Sequence, residues 1–148
     1  MVTLRRVRLM FLNGTAMRGQ KDHSAVDGAT FLGPARTAAR YRFLAVRDEF
    51  PGLFAVPEGG TGIVGELYEM TDELLLQGLL PGEPAELDLA EIELDDGRTV
   101  NAMHLAPARL VPGDRVVDIT AFGGFRAYQA FLADNAGPEV VRATLGLA

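Results

Sequence analysis

Phe11-Leu12-Asn13-Gly14-Thr15-Ala16-Met17-Arg18-Gly19-Gln20 runs from an apolar segment into a polar turn that contains two glycines. The basic-then-apolar residues ahead of it make residues 4–12 the first buried strand, ending at Asn13-Gly14. Past that point the backbone has room to expose N–H groups, and such a turn can hold a carboxylate or a carbonyl oxygen. Gly14 lets the chain approach a ligand, while Asn13 and Thr15 bring hydrogen-bonding side chains. Asn-Gly is also the commonest hairpin dipeptide, so a plain chain reversal is the competing reading. Near the other end, Ile119-Thr120-Ala121-Phe122-Gly123-Gly124-Phe125-Arg126-Ala127-Tyr128 enters a helix through a glycine pair. Phe125, Tyr128, Phe131 and Leu132 then follow at helical spacing.

Between these ends the pattern predicts many short strands and few helices. A helical turn is expected near His23, and strands at Ala29–Leu32, Tyr41–Val46, Leu53–Val56 and Ile63–Met70. Phe50-Pro51-Gly52 reads as a turn and Glu58–Gly62 as a hairpin tip. Thr71 caps a helix running through Leu74, Leu75 and Leu76 to Leu80, with Asp72 and Glu73 where the helix dipole favours acids. Leu87–Leu94 and Val100–Leu105 form a hairpin across Asp95-Asp96-Gly97-Arg98, and Pro107–Gly113 is loop. Asp118 or Thr120 caps the last well-marked helix, and a short terminal helix follows Asn135 with Pro138 in its first turn. The expected fold is α+β: one domain over residues 1–148, with a mixed, closed or barrel-like sheet and two or three helices.

A chain of 148 residues with 48% hydrophobic and 23% charged residues is long enough to bury an ordinary core. No apolar run approaches the ~20 residues needed to cross a bilayer, and the basic start lacks a signal peptide's apolar length. The expectation is therefore a cytoplasmic protein with no membrane role. Cysteine is absent, which removes disulfides, thiol catalysis and cysteine–zinc sites. A net charge of −6 argues against a nucleic-acid partner, because phosphate binding needs clustered cations. With only His23 and His104 as histidines, no metal site is expected. His104, alternating with Met103 and Leu105, reads as structural. Gly59-Gly60-Thr61-Gly62 lacks the lysine and helix of a phosphate loop.

The segment from Phe11 to Gln20 resembles the substrate loop of the gamma-glutamylcyclotransferase-like family, and Gly65-Glu66-Leu67-Tyr68-Glu69-Met70 resembles that family's central strand. Over nearly the whole chain the sequence is more similar to the C-terminal domain of allophanate hydrolase, which shares the fold. That likeness rests on Arg36–Arg42, Ile92–Arg98 and, most specifically, Asp118–Tyr128. The resemblance implies a gamma-glutamylcyclotransferase-like mixed β-barrel in a free-standing relative, with no cofactor. It implies that residues Asn13, Gly14, Thr15, Ala16 and Met17 bind the carboxylate or carbonyl end of a small substrate. Cyclotransferases carry tyrosine where Asn13 stands and leucine where Ala16 stands. The allophanate hydrolase domain uses a loop histidine for decarboxylation, and Ala16 falls at that place.

The same resemblance puts a catalytic glutamate just after the helix that follows the central strand, where this chain has Leu80-Pro81-Gly82-Glu83-Pro84. Glu83 would shuttle a proton from the substrate's α-amine to the departing amine. That work needs a partly buried setting to raise the carboxyl pKa. An exposed glutamate in a polar turn is the alternative, and Glu86 is close enough to exchange roles. Tyr128 presents its hydroxyl to the cavity if it is not simply core. Three functions follow. The first is an enzyme acting on an amide or γ-glutamyl-like substrate by carboxylate acid/base catalysis. The second is decarboxylation or hydrolysis of a urea-derived carboxylate, with an amidase as partner. The third is a non-catalytic protein that binds small carboxylates. The oligomeric state is open.

Overall fold

The computed structural model describes residues 6–145, with side chains to residue 135. Its framework is one mixed sheet built from β1 (Val7–Leu12), β2 (Thr30–Arg36), β3 (Tyr41–Val46), β4 (Phe50–Ala55), β5 (Val64–Thr71), β6 (Leu87–Glu93), β7 (Thr99–Leu105) and β8 (Val116–Asp118). The hydrogen-bonded order is β2-β5-β1-β7-β4-β3-β8, and β6 covers the other side of β7.

β1 is central. It pairs antiparallel with β5 from Val7↔Thr71 to Leu12↔Glu66, and parallel with β7 at Met10↔Asn101 and Phe11↔Ala102. Its last three residues, Met10, Phe11 and Leu12, are all buried, as expected of a strand covered on both faces. Neither neighbour of β1 is the next strand in sequence, so Asn13-Gly14 does not close a hairpin. The chain leaves the sheet there.

β7 explains the curvature. One of its edges pairs with β6 along the full length, from Leu87↔Leu105 to Glu93↔Thr99. The other edge is shared between β1 and, at Leu53↔His104, β4. An isolated bridge, Thr37↔Leu94, joins the residue after β2 to the residue after β6, so the two ends curl toward each other. The result is a half-barrel around an apolar interior that holds Phe11, Phe43, Leu53, Ile63, Leu75, Ile92 and Ile119.

Several expectations need correction. Phe50-Pro51-Gly52 is not a turn but the start of β4. Pro51 is tolerated because at that point β4 pairs only with β3, through Ala45, and the missing N–H interrupts no second ladder. The reversal lies at Arg47–Glu49, where Arg47 and Asp48 take φ of +54° and +56° without any glycine. Glu58–Gly62 is not a hairpin tip, since β4 and β5 are unpaired. The segment crosses between them, held by paired hydrogen bonds between Tyr41 and Thr61.

Thr71 does cap the helical segment, its Oγ1 accepting from Leu74 N at 3.1 Å. Only Asp72–Leu74 (α1) is α-helical. Leu75–Leu79 then widens into a π turn and Leu80–Gly82 narrows into a 3₁₀ turn. The widened turn buries Leu75 and Leu79 together. At the other end, Asp118 Oδ1 accepts from Thr120 N, which caps the 3₁₀ turn Thr120–Phe122 rather than the long helix. α2 (Phe125–Leu145) follows as one helix, not two. Gly123 has φ +74°, and a Cβ on Gly124 would lie 2.5 Å from Val64 Cγ2. This pair lets the entry to α2 sit directly on β5, with Val64 N donating to Gly123 O.

Candidate active site

After β1 the chain makes three successive reverse turns. Met17 N donates to Gly14 O, Gln20 N to Met17 O and His23 N to Gln20 O. Gly19, third in the middle turn, has φ +78°, which a side chain would strain. Thr15 and Ala16 are the two central residues of the first turn. Among the described residues, the amides of Gly14, Thr15 and Ala16 donate to no backbone or side-chain acceptor. The Met17 amide is consumed within the turn.

The loop is braced from beneath by Glu66, a buried carboxylate on β5. It accepts from Arg18 N at 2.8 Å, Tyr68 Oη at 3.0 Å, Arg126 Nη2 at 3.2 Å and Arg18 Nε at 3.3 Å. Burial works to raise its pKa, yet the Arg18 amide, the Tyr68 hydroxyl and the two guanidinium groups hold it below the usual carboxylate range. Tyr68 in turn is pushed up to about 12 by burial and by its bond to that carboxylate. Arg126 on α2 also donates to Arg18 O at 2.6 Å.

Two joined hollows lie above this loop. A chamber of about 810 Å³ is walled by the turns, by the α1–π segment at Leu74, Gly78 and Leu79, by the Arg47–Phe50 reversal and by Gly82–Glu86. A narrow annex of about 30 Å³, lined by Leu12, Asn13, Gly14, Pro51 and Met103 among others, opens from it. Thr15, Ala16, Phe50 and Glu83 border both. The annex is large enough to hold a water-sized polar group. Gly14 is required there by proximity: a Cβ would fall 2.7 Å from Pro51 Cδ.

Glu83 therefore borders both hollows, as do Thr15 and Ala16 of the loop. Burial, reinforced by the negative charge of Asp22, pushes its carboxyl up to about 7. The remaining charged lining is Lys21, Asp22, Arg47, Glu49 and Glu86. Glu86 is engaged elsewhere. It is buried and accepts from Arg47 Nη1 at 3.0 Å.

The other residues singled out in the sequence divide clearly. Asn13, Gly14, Thr15 and Ala16 line the hollows, while the Met17 side chain is buried in the core, its sulfur facing Arg126. Tyr128 is buried outside both hollows; its hydroxyl donates to Asp48 Oδ1 at 2.6 Å, and its ring packs edge-on against Phe122. Burial and the Asp48 bond raise its pKa. His23 Nδ1 lies 2.9 Å from Ala16 O; since a carbonyl only accepts, Nδ1 carries the proton. His104 Nε2 accepts from Ala55 N at 3.1 Å, a structural bond. Among the described residues, no group of three or more His, Asp or Glu is arranged to hold a metal ion.

Sequence reasoning missed Glu66 and Arg47. Glu66 could have been found, because it shares with Tyr68 one face of an otherwise apolar strand, and a carboxylate in that position demands partners. Arg47 carried no local signal.

The model of the allophanate hydrolase C-terminal domain matches residues 8–130. The chain belongs to that family. Crystal structures of two similar proteins agree with the assignment. A uropathogenic Escherichia coli-specific protein is 33% identical, with a TM-score of 0.77 over 84% of this chain and 97% of its own. The allophanate hydrolase of Kluyveromyces lactis is 25% identical, with a TM-score of 0.78 over 86% of this chain and 22% of its own. Zebrafish (Danio rerio) gamma-glutamylaminecyclotransferase A is 32% identical over 72 residues, 45% of each chain. The match thus spans under half of that curated relative's length. A gamma-glutamyl cyclotransferase structure, 14% identical with a TM-score of 0.51 over 95% of this chain, shares the fold. The half-barrel of this family member is a gamma-glutamylcyclotransferase-like α+β domain. No helix among its described residues is long and apolar enough to cross a membrane.

Proposed function

We propose that this protein is an enzyme that cleaves the amide C–N bond of a γ-glutamyl-like substrate, with Glu83 as general acid and base. The observation that carries the reading is the position of Glu83 at the junction of annex and chamber, half-buried, with a pKa pushed up to about 7. A carboxyl so placed is part ionised near neutrality and can both take and return a proton.

The reaction written on this geometry needs no water. The substrate's γ-carbonyl oxygen enters the annex, where the amides of Gly14, Thr15 and Ala16 stabilise the negative charge that develops on it. The substrate's own α-amine attacks the γ-carbon. A C–N bond forms, and the nitrogen's proton passes to the Glu83 carboxylate. The original amide C–N bond then breaks, and Glu83 returns the proton to the departing amine. The products are 5-oxoproline and a free amine, and the chamber accommodates the leaving amine. The zebrafish relative, named a gamma-glutamylaminecyclotransferase, supports this substrate class.

The test is incubation with a panel of γ-glutamyl amines. Release of 5-oxoproline is expected, with a loss of about 10²–10⁴-fold in Glu83→Gln. No release from any member of the panel overturns the reading.

Family membership supports a second reading, the breakdown of an N-carboxylated urea intermediate beside a partner amidase. Against it, the loop places Ala16, not a histidine, at the annex. An allophanate-cleaving amidase whose ammonia yield rises when this protein is added would favour the second reading over the first. Saturable thermal stabilisation by small carboxylates without turnover would instead identify a binding protein. A ligand at 100 times its Kd adds about 2.7 kcal/mol of stability.

A further inference from the structure

The reversal between β3 and β4 is built against local preference. Arg47 and Asp48 are consecutive non-glycine residues in the left-handed region, a conformation that persists only where its surroundings hold it. Here they do. Arg47 N donates to Arg115 O at 2.7 Å, and its side chain reaches three carboxylates: Asp114 at 2.5 Å, Glu86 at 3.0 Å and Glu49 at 3.2 Å. Asp48 faces the opposite way, accepting from Tyr128 Oη and lying 3.3 Å from Arg115 Nε. Two strained residues thus tie together the segment before β8, helix α2 and the Glu83–Glu86 wall.

The tie to that wall bears on the candidate acid. Glu86 is buried, its carbonyl accepts from Ala106 N, and Leu87 N donates to Pro84 O. Glu83 N itself donates to Leu80 O at 3.1 Å, so the backbone is held on both sides of Glu83, and the Glu86 carboxylate needs a cation to remain where it is. Arg47 supplies it.

We propose that Arg47 is a positioning residue for Glu83, acting through Glu86: its guanidinium holds the Glu83–Glu86 wall in place and cancels the charge of Glu86 beside the working carboxyl. The proposal rests on Glu83 being that carboxyl. Around Glu83, the turns contribute Lys21 and Asp22, the β3–β4 reversal contributes Arg47 and Glu49, and its own segment contributes Glu86. The α1–π wall brings no charge. Of these, Arg47 alone is a cation bonded to a carboxylate of the acid's own segment; Arg109, from outside the chamber lining, donates to the Ala85 backbone oxygen at 3.2 Å.

The experiment follows the Glu83 side-chain carboxyl by carbon-detected NMR while the free protein is titrated. It needs no substrate, so its failure is distinct from that of the amide-cleavage reading, which the 5-oxoproline assay decides. Arg47→Gln leaves Glu86 uncompensated and is expected to move the Glu83 midpoint up by about one pH unit. Arg47→Lys keeps a cation and should restore most of the original midpoint. Arg47→Gln with Glu86→Gln removes both charges and should return it close to the parent value. A Glu83 midpoint indifferent to Arg47→Gln, or a double variant that titrates like the single one, overturns the proposal. Should Arg47→Gln fail to fold, Glu86→Gln alone decides the matter. A lowered Glu83 midpoint supports the coupling, and an unchanged one removes it.

Discussion

Replacing Glu83 by glutamine should make this protein more stable in base than in acid, relative to the parent. In the folded chain the carboxyl titrates near 7, against an ordinary value of 4.5. A carboxyl with a raised folded pKa leaves the fold at full stability below the ordinary value. Stability is lost as the pH rises through about 7, because ionisation is easier in the unfolded chain. Each pKa unit corresponds to about 1.36 kcal/mol, so the ionised parent gives up about 3 kcal/mol above pH 8, with about 1 kcal/mol already lost at pH 5. Glutamine has the same shape without the charge, and it removes that penalty. Urea unfolding followed by circular dichroism, on parent and Glu83→Gln at about pH 5 and pH 8.5, measures the difference directly. The variant's advantage should grow by about 2 kcal/mol between the two conditions. An advantage that does not change with pH would refute the claim that Glu83 is held in a poorly solvated junction. The same variant should lose 5-oxoproline release, so one substitution separates stability from activity.

Other consequences are testable with further single substitutions. Gly14→Ala puts a Cβ 2.7 Å from Pro51 and narrows a 30 Å³ annex. Ligand binding should fall at least about 10-fold and stability by about 1–3 kcal/mol, as measured by calorimetry and urea unfolding. Glu66→Gln weakens a carboxylate hub that braces the loop after β1, and should cost about 2 kcal/mol at neutral pH. Because Glu66 titrates below the ordinary range, its contribution is present above about pH 4.5 and fades as the pH falls through the lowered value. Parent and variant should therefore converge in acid. Tyr128→Phe removes the donor to Asp48 and should lower stability by about 1 kcal/mol while leaving the Glu83 titration unmoved. A change in that titration would mean that the Asp48 bond helps hold the Arg47–Glu86 contact in place.

The parts of the fold legible in the sequence are those where local chemistry and tertiary placement agree. The β6–β7 hairpin is one. Asp95-Asp96-Gly97-Arg98 supplies the turn residues, Gly97 takes φ +90°, and the flanking strands pair in full register. Thr71 is another, since its hydroxyl caps the turn that its position predicts. Where the two levels part, the sequence misleads. Asn13-Gly14 has hairpin composition, but β1 already has partners on both edges, so the chain must exit instead. Pro51-Gly52 has turn composition, but it lies where β4 lacks a second neighbour. The true reversal at Arg47-Asp48 has no turn chemistry at all, because its conformation is imposed by four distant partners. β8 is three residues long and offers no period to read.

The candidate site shows the same division. Glu83 and the loop are singled out in the sequence through the family resemblance, which sets each beside a recognisable element. Their bordering the same hollows is not legible there, since it depends on how β1 leaves the sheet and how the π turn ends. The parts that hold the site are long-range. Glu66 lies 48 positions from Arg18 and 60 from Arg126, and Arg47 lies 39 from Glu86 and 67 from Asp114. Both hubs join opposite charges, the first beneath the loop and the second in the wall of the chamber that also holds a carboxyl easier to protonate than usual. A buried ion pair is a weak source of stability, because the desolvation of both partners offsets most of their attraction. Such a pair fixes geometry well, however, since breaking it leaves an unpaired charge. In this half-barrel the two hubs sit beneath the loop after β1 and behind the Glu83 wall, the two surfaces that the proposed amide cleavage would require at a constant separation.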